Sequence, residues 1–448
     1  MPFTVITLGE FLDQLAARLD DPTNVFFSRA ELLDYTKESL RTWAAHTGYW
    51  ISRGQLTTEL LTKDYDLGEK LLDSNGVKLQ ERVITDRDMI TSLCYALLDT
   101  PPVDWSLGWA SVEQFDLALL LDATRDAINY LQQQCSLITE VTSQVAAPTP
   151  IGQHDLTNSL VNLRSLYWQD PEGTQTYLSR QDQYLSTLLT SGGSKPDAYS
   201  LVASQPRRVE LSPIPTDAGA LFYIYTPGHT LLSPTSVATK LHIPTNYSWA
   251  AKWYALFTLL NAEGERRDKF RADYCAMRIK DSLALAKILP GIYRAYLNSV
   301  PIGISTSWDY DRASTNWRNT QGKPANLITH SWNTISLHPI PGIITENPTA
   351  EYALTLDVAS NAPIPTLESS YLDISADIIQ PLLDYAHHLA CFKMGGQEFA
   401  DSIPSYERFL RCAMGYNAKL LAESNNFYLL KEESSFPRTR KPTQKEDE

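Results

Sequence analysis

The stretch Leu211-Ser-Pro-Ile-Pro215 continues to Leu221-Phe-Tyr-Ile-Tyr225 and predicts a short strand, a proline-fixed corner, a turn and a second strand. The same pattern returns 126 residues later as Leu337-His-Pro-Ile-Pro341, which is followed by Tyr352-Ala-Leu-Thr-Leu356. A chain that repeats a proline-cornered β element favours a structural building unit over a catalytic site.

Two helices are predicted after each copy of this pattern. The first pair covers about 247–263 and 266–289, with Gly264 between them, and the second covers about 381–393 and 405–422, with Gly395 between them. Tyr254-Ala255 and Tyr385-Ala386 match at a separation of 131 residues. The repeated unit is therefore predicted to be a β corner followed by a helical hairpin, first at 199–290 and again at 335–425.

The N-terminal half carries a second repeat. Ser28-Arg-Ala-Glu31 is a capping box that predicts a helix start, with Gly48 as its end. The pattern from Phe27 to Asp34 returns from Phe115 to Asp122, 88 residues later, in a helix that is predicted over 112–136. Each helix precedes a β-like run, which indicates two related helix-plus-hairpin units, although chance similarity of two amphipathic helices is the alternative.

These patterns together predict an α+β fold that is mainly helical, built of internally duplicated helical bundles with inserted β-hairpins and small β units. We predict five regions, in this order: a helical region with two related units at 1–190, β corner plus hairpin at 199–290, an irregular excursion rich in Trp, Asn and Ser at 291–334, a second β corner plus hairpin at 335–425, and a disordered tail at 432–448.

The composition narrows the possible functions. The net charge of −14 argues against a broad surface that binds duplex DNA, because such a surface needs clustered Lys and Arg. The low charged fraction of 20%, with 23 Tyr and 10 Trp, suggests large covered surfaces, either in a core or between subunits. Five scattered cysteines without a CxxC motif indicate reduced thiols in a cytosolic compartment. No signal peptide and no membrane span are predicted.

The sequence has no nucleophile elbow, zinc-protease motif, phosphate-binding loop or dinucleotide fingerprint. His387 and His388 are adjacent and point to different sides of a helix, which disfavours a shared metal. Asp309 and Asp311 resemble a carboxylate pair, but a salt bridge with Arg312 is the preferred interpretation. Six tryptophans are interpreted as packing residues rather than sugar platforms: Trp43, Trp50, Trp105, Trp109, Trp168 and Trp249. We therefore predict a protein without enzymatic activity, cofactor or metal.

The segment from Phe27 to Trp43, the polar strand Asp64-Tyr-Asp-Leu67, the turn Trp168-Gln-Asp-Pro171 and the run from Leu211 to Cys275 resemble neck proteins of tailed bacteriophages. This resemblance implies a head-to-tail adaptor in the virion, assembled in the host cytoplasm as a homo-oligomeric ring, often a dodecamer, beneath the portal. Its partners would be the portal protein and tail nozzle, tube or fibre proteins, and DNA would pass through the channel without specific binding.

The chain is longer than simple adaptors of this kind, and the second β corner and hairpin account for the extra length. Four basic residues of the tail are expected to contact the portal or tail ring: Arg438, Arg440, Lys441 and Lys445. Two other functions stay open, a tail, baseplate or fibre-attachment subunit and a carbohydrate-binding host-attachment protein that uses Trp308 or Trp317.

Overall fold

The computed structural model of the chain describes residues 5–60, 62–102, 104–105, 115–146, 152–172, 175–181, 195–202, 207–229, 232, 238–262, 267–286, 291–313, 317–342 and 351–423. The α-helices within these ranges are α1 (Leu8–Arg18), α2 (Arg29–Thr47), α3 (Leu67–Lys70), α4 (Asp86–Ala96), α5 (Leu117–Cys135), α6 (Ser248–Asn261), α7 (Lys269–Ala286), α8 (Ser307–Ala313), α9 (Ala376–Met394) and α10 (Gly396–Glu423).

The strands of the first half are β1 (Ile51–Thr57), β2 (Asp64–Asp66), β3 (Glu140–Ala146), β4 (Gln153–Asp155), β5 (Leu160–Gln169), β6 (Gln175–Tyr177), β7 (Ser179–Arg180), β8 (Ala198–Leu201), β9 (Arg208–Ser212) and β10 (Gly219–Pro227). Those of the second half are β11 (Ile292–Leu297), β12 (Val300–Thr306), β13 (Gln321–Gly322), β14 (Asn326–Thr329), β15 (Thr334–His338), β16 (Ile340–Pro341) and β17 (Ala353–Ala359).

The described part of the chain is 42% helix and 27% strand and contains a curled seven-stranded sheet, so the predicted fold of mainly helical bundles with small β units is wrong. The strands pair over very long sequence distances. Ile51 in β1, for example, lies opposite Ala359 in β17. Local sequence patterns do not reveal such partners, so they predict hairpins inserted in bundles where the fold forms long-range strand pairs.

The seven-stranded sheet has the order β1-β17-β11-β12-β14-β15-β2. Two four-stranded sheets have the orders β3-β10-β5-β6 and β7-β8-β9-β4, and only Leu178 separates β6 from β7 along the chain. If β6 and β7 are counted as one strand, the two four-stranded sheets together have the same strand order as the seven-stranded sheet. The strand directions also agree, because β12 with β14 and β7 with β8 are parallel, whereas the flanking pairs are antiparallel.

The helices before these sheets correspond in the same way. Helices α2 and α5 both have 19 residues and both end at a residue in the left-handed conformation, Gly48 at φ 58° and Ser136 at φ 47°. Helices α1 and α4 both have 11 residues and begin with complete capping boxes, at Thr7 and Thr85. Helices α1 and α2 of one unit therefore correspond to α4 and α5 of the other in length and in capping.

The chain therefore holds two units of the same topology, one of which interrupts the other. The continuous unit is residues 84–286. The split unit consists of residues 5–83 and 291–423. Its first two helices, α1 and α2, are therefore far along the chain from its last two, α9 and α10, and contact them only in the folded structure. Equivalent backbone bonds close the two units, from Leu8 N to Ser370 O and from Asp86 N to Thr239 O, both 2.9 Å.

The proline corners occupy equivalent places in the two units. Strand β9 precedes the cis bond between Ser212 and Pro213, and β15 precedes the cis bond between His338 and Pro339. The strands on the two sides of each corner are not neighbours in the sheet, since β10 pairs with β3 and β5 while β9 pairs with β4 and β8. The corner therefore connects distant parts of one curled sheet.

Three details differ from the sequence predictions. Helix α5 begins at Leu117 behind the cap Asp116, not at 112, and residues 106–114 lie outside the described part. Ser28 caps α2 as predicted, but the Glu31 carboxylate accepts from Lys393 Nζ at 2.7 Å instead of reaching back to the cap. The range 291–334, predicted to be irregular, contains the strands β11, β12 and β14.

The helices of both units share one hydrophobic core, whereas each curled sheet encloses its own. Burial of aromatic and aliphatic side chains in the shared core joins the units over a large apolar area. Within the described residues, no helix has the length and apolar character needed to span a membrane.

We expect Gly219→Ala in β10 to lower the free energy of unfolding by about 1–3 kcal/mol, the usual effect of overpacking a full core. A Cβ there would overlap Cζ2 of the buried Trp168 and would lie 2.7 Å from the carbonyl oxygen of Gln169. Urea unfolding measures the change. The matched control is Gly415→Ala in α10, where no atom lies within 4 Å, and it should stabilise by about 0.5–1 kcal/mol. Equal effects of the two variants would contradict this account.

Candidate functional site

The most unusual chemistry in the described chain lies where the two units meet. Helices α6 and α7 of the continuous unit pack on α2, α9 and α10 of the split unit. Direct bonds cross this contact, among them Arg278 Nη2 to Tyr385 Oη at 3.1 Å and a bond of 2.7 Å between Tyr274 Oη and His388 Nε2. We call this region the unit contact.

A buried ion pair lies at one side of the unit contact. Lys252 of α6 donates to Glu38 of α2 at 2.6 Å, and the two side chains are only 3% and 6% exposed. Tyr385 Oη donates to the other carboxylate oxygen of Glu38 at 3.3 Å. Two charges removed from water need this close pairing, because each alone would carry a large desolvation penalty. The pair therefore fixes α6 against α2.

Arg278 of α7 occupies the centre of the unit contact and is fully buried. Its guanidinium lies over four aromatic rings, at 4.0 Å from the Tyr406 centroid, 5.4 Å from Trp249 and Trp253, and 5.7 Å from Tyr385. Electron-rich ring faces stabilise a cation that has lost its water. Two of these rings belong to each unit, so the cation holds both units around it.

A series of hydrogen-bonded polar side chains lies beside Arg278 and its aromatic rings. Ser402 Oγ donates to Phe399 O at 2.7 Å, so it accepts from His388 Nδ1 at 2.8 Å, and His388 Nε2 then accepts from Tyr274. The imidazole is neutral in this arrangement. Burial lowers the pKa of His388 to about 3, with a smaller effect of the nearby Arg278 charge. The chain is a structural link between the units.

The cavity that borders Lys252 and Glu38 is small. The cavity between α2, α4 and α6 has a volume of about 50 Å³, and its charged lining includes Asp34, Lys37 and Arg41. That volume is far below the several hundred Å³ typical of ligand sites. Among the residues that the structure describes, no three His, Cys, Asp or Glu side chains are grouped as metal ligands would be.

The structure places the sequence-predicted residues in different surroundings. Thr306 caps α8, and the Asp309 carboxylate accepts from the Thr306 hydroxyl at 2.8 Å. Asp311 pairs with Arg318, with Nη2 at 3.0 Å from Oδ2, and accepts from Trp317 Nε1 at 2.8 Å. The side chain of Arg312, their predicted partner, lies outside the described part. The basic tail residues are also outside it: Arg438, Arg440, Lys441 and Lys445.

The tryptophans lie where packing residues are expected. Four of them are only 1% exposed: Trp43, Trp168, Trp249 and Trp317. Side chains this buried offer no stacking surface for a sugar. Trp109 and the side chain of Trp308 are outside the described part.

The residues of the unit contact were missed by sequence reasoning. Lys252 is the single charge in Ser-Trp-Ala-Ala-Lys-Trp-Tyr-Ala-Leu, and a lone cation among apolar helix positions is a signal of burial. The mixed charges from Arg266 to Asp273 predict a solvated face for this helix, but Arg278 of α7 follows buried Cys275 by three positions and shares its face. Their partners on the other unit lie more than 100 residues away and have no local signature.

Comparison of the chain with models of protein families and with curated proteins found no match.

Proposed function

We propose that this protein is a ring-forming head-to-tail adaptor of a tailed phage, which joins the portal to the tail and lines the DNA exit channel. The observation that carries the proposal is that its two equivalent units contact each other through different surfaces. A contact between two different surfaces leaves one of each surface free, so further copies can be added in the same way. A symmetric contact uses the same surface on both partners and therefore ends with a dimer.

Two pairs of equivalent residues reveal the type of contact. His46 of α2 stacks on Trp249 of α6 at 5.8 Å between ring centroids. The equivalent positions are Gln134, 88 residues after His46, and Gln380, 131 residues after Trp249, and both are exposed. A two-fold arrangement of the units would bring these two residues together as well. The contact is therefore heterologous, and repetition of it gives a closed ring or an open tube.

The overall charge supports a channel function. The net charge of −14 and the pI of about 5.1 would let an acidic inner wall repel phosphates, so that DNA passes without adhering. The tail residues from 432 onward would supply basic side chains for the portal or the next ring.

A tail-tube subunit is the second candidate, because the same heterologous contact can also generate an open tube. The carbohydrate-binding alternative loses support from the deep burial of Trp317. Ring and tube differ in whether the repeated rotation closes, which imaging distinguishes directly.

Negative-stain imaging and native mass spectrometry of the full chain, with and without purified portal protein, test the proposal. We expect closed rings with an open centre and a mass that is a fixed multiple of 50.3 kDa. The control variant changes Arg438, Arg440, Lys441 and Lys445 to Glu, and it should form the same rings but bind the portal weakly. A chain that stays monomeric with portal present would overturn the adaptor function, and open tubes would favour the second candidate.

A further inference from the structure

The two units present equivalent helix faces, but only one of these faces is covered. In the split unit, four residues of α9 lie in the unit contact and are at most 2% exposed: Tyr385, His388, Leu389 and Phe392. The equivalent residues of α6, each 131 positions earlier, are half-buried or exposed: Tyr254, Phe257, Thr258 and Asn261. Helix α9 is covered by α6 and α7, whereas this side of α6 is open.

Helices α2 and α5 differ in the same way. Their core-facing stripes correspond, since Leu32 and Leu120 are both 0% exposed. On the neighbouring side of α2, two residues contact the continuous unit and a third is buried, whereas their equivalents on α5 are exposed. These pairs are Glu38 with Asp126, Ala45 with Gln133, and His46 with Gln134. The open side of α5 therefore continues the open side of α6.

The open sides of α5 and α6 carry aromatic and aliphatic surface. Tyr130 and Tyr254 stack at 4.5 Å between ring centroids, and Phe257 lies 6.5 Å from Tyr254. Leu119 on α5 is 39% exposed. Partly exposed aromatic rings on adjacent helices are typical of protein interfaces, where they contribute much of the binding energy.

We propose that this open face of α5 and α6 is the docking site for a second copy of the chain. The second copy would insert α9 and α10 of its split unit, in the manner in which α6 and α7 cover α2 and α9 within one chain. On that side of the split unit, Gln380 at the position equivalent to Trp249 is exposed, and so is Met414 at the position equivalent to the half-buried Leu283, whereas Phe409, equivalent to Arg278, is buried within its own unit. The inference rests on the proposed ring function and specifies its interface.

The chain itself supplies the template for this interface. One copy of the heterologous contact forms inside the chain. The two surfaces that this contact does not use, the open face of α5 and α6 and the outer side of α9 and α10, therefore lie on different units of the same molecule. A docked chain leaves the same two surfaces free at the ends of the pair, and addition continues in one direction until the ends meet. A partner of unrelated structure would not account for the match between the open face and the covered one.

Disulfide trapping tests the interface. We expect Gln134→Cys with Gln380→Cys, in a Cys412→Ser background that removes the exposed native thiol, to give a ladder of cross-linked chains under mild oxidation. The pair is equivalent to His46 and Trp249, which are in contact within the chain. Each single cysteine variant is the control and should give no ladder beyond a dimer.

A second test adds charge to the open face. Phe257→Arg should weaken self-association by about tenfold or more, as expected for an aromatic hot spot, without changing the unfolding midpoint of the chain. The control is Val145→Arg on β3, where the side chain is 83% exposed outside this face, and it should leave association unchanged.

The outcomes separate the interface from the function. Closed rings without a ladder, and with normal assembly of Phe257→Arg, would overturn this interface and leave the adaptor function standing. A ladder in open tubes would support the interface and overturn the ring. A monomer in every preparation would overturn both.

Discussion

Lowering the pH from 7 to 5 is expected to remove most of the stability of the folded chain. Burial lowers the pKa of five histidines from the ordinary 6.5 to between about 3 and about 4: His46, His229, His242, His330 and His388. Below pH 6.5 the unfolded chain binds protons that the folded chain does not bind. The free energy of unfolding therefore falls as the pH decreases through this window.

The expected size follows from the linkage. Each such histidine contributes about 1.4 kcal/mol per pH unit below 6.5, or about 2 kcal/mol at pH 5. Five of them reach roughly 10 kcal/mol, which is comparable to the whole stability of a typical domain. Urea unfolding at pH 7, 6 and 5 measures this loss.

A single variant isolates the histidine contribution from that of the carboxylates. His46→Phe keeps the ring that stacks on Trp249 at 5.8 Å but removes one titrating group. We expect its stability to depend less steeply on pH, by about 1.4 kcal/mol per pH unit between pH 6 and 5. A parent chain with constant stability over this range, or a variant with the same slope as the parent, would contradict the prediction.

Lys252→Ala is expected to lower the free energy of unfolding by about 3–5 kcal/mol, because it leaves the buried Glu38 carboxylate without its charged partner. The two side chains are 2.6 Å apart and almost completely buried. Chemical denaturation of the purified variant measures the loss. The matched control is Lys240→Ala, whose partner Glu81 also lies at 2.7 Å, but these side chains are 58% and 42% exposed. The control should change stability by about 0–1 kcal/mol.

The double variant Lys252→Met with Glu38→Leu distinguishes charge from shape. Apolar residues of similar size avoid the desolvation penalty, so the double variant should recover most of the stability that Lys252→Ala loses. An equally unstable double variant would mean that the hydrogen bond of Glu38 to Tyr385, and not the charge pair, holds the helices together.

Much of the local structure could be predicted from the sequence. The cap at Ser28 and the helix end at Gly48 follow from residue types whose hydrogen bonds and conformations are local. The helix of 248–261 agrees closely with the predicted 247–263. Helices α9 and α10 begin earlier than predicted, at 376 and 396, and include Pro381 and Pro404. Both prolines lie beyond the first turn of their helices.

The sheets could not be predicted, because their strands pair with partners that are far away along the chain, and no local sequence pattern identifies these partners. Strand β1 pairs with β17, at the other end of the split unit, and β12 pairs with β14 in parallel. The same limit hides the candidate site. Arg278 and Tyr385 are 107 positions apart, and neither residue type by itself indicates that they meet in a core.

The sequence by itself determined the places of helices, caps and proline corners, and the constant separations of 88, 126 and 131 residues between matching segments. These features depend on contacts between residues that are close along the chain. Only the tertiary structure decided that one unit interrupts the other, that each curls into a seven-stranded order, and that one helix face is covered while its equivalent is open. Those outcomes depend on burial of apolar and charged groups between distant segments, which exists only once the chain has folded.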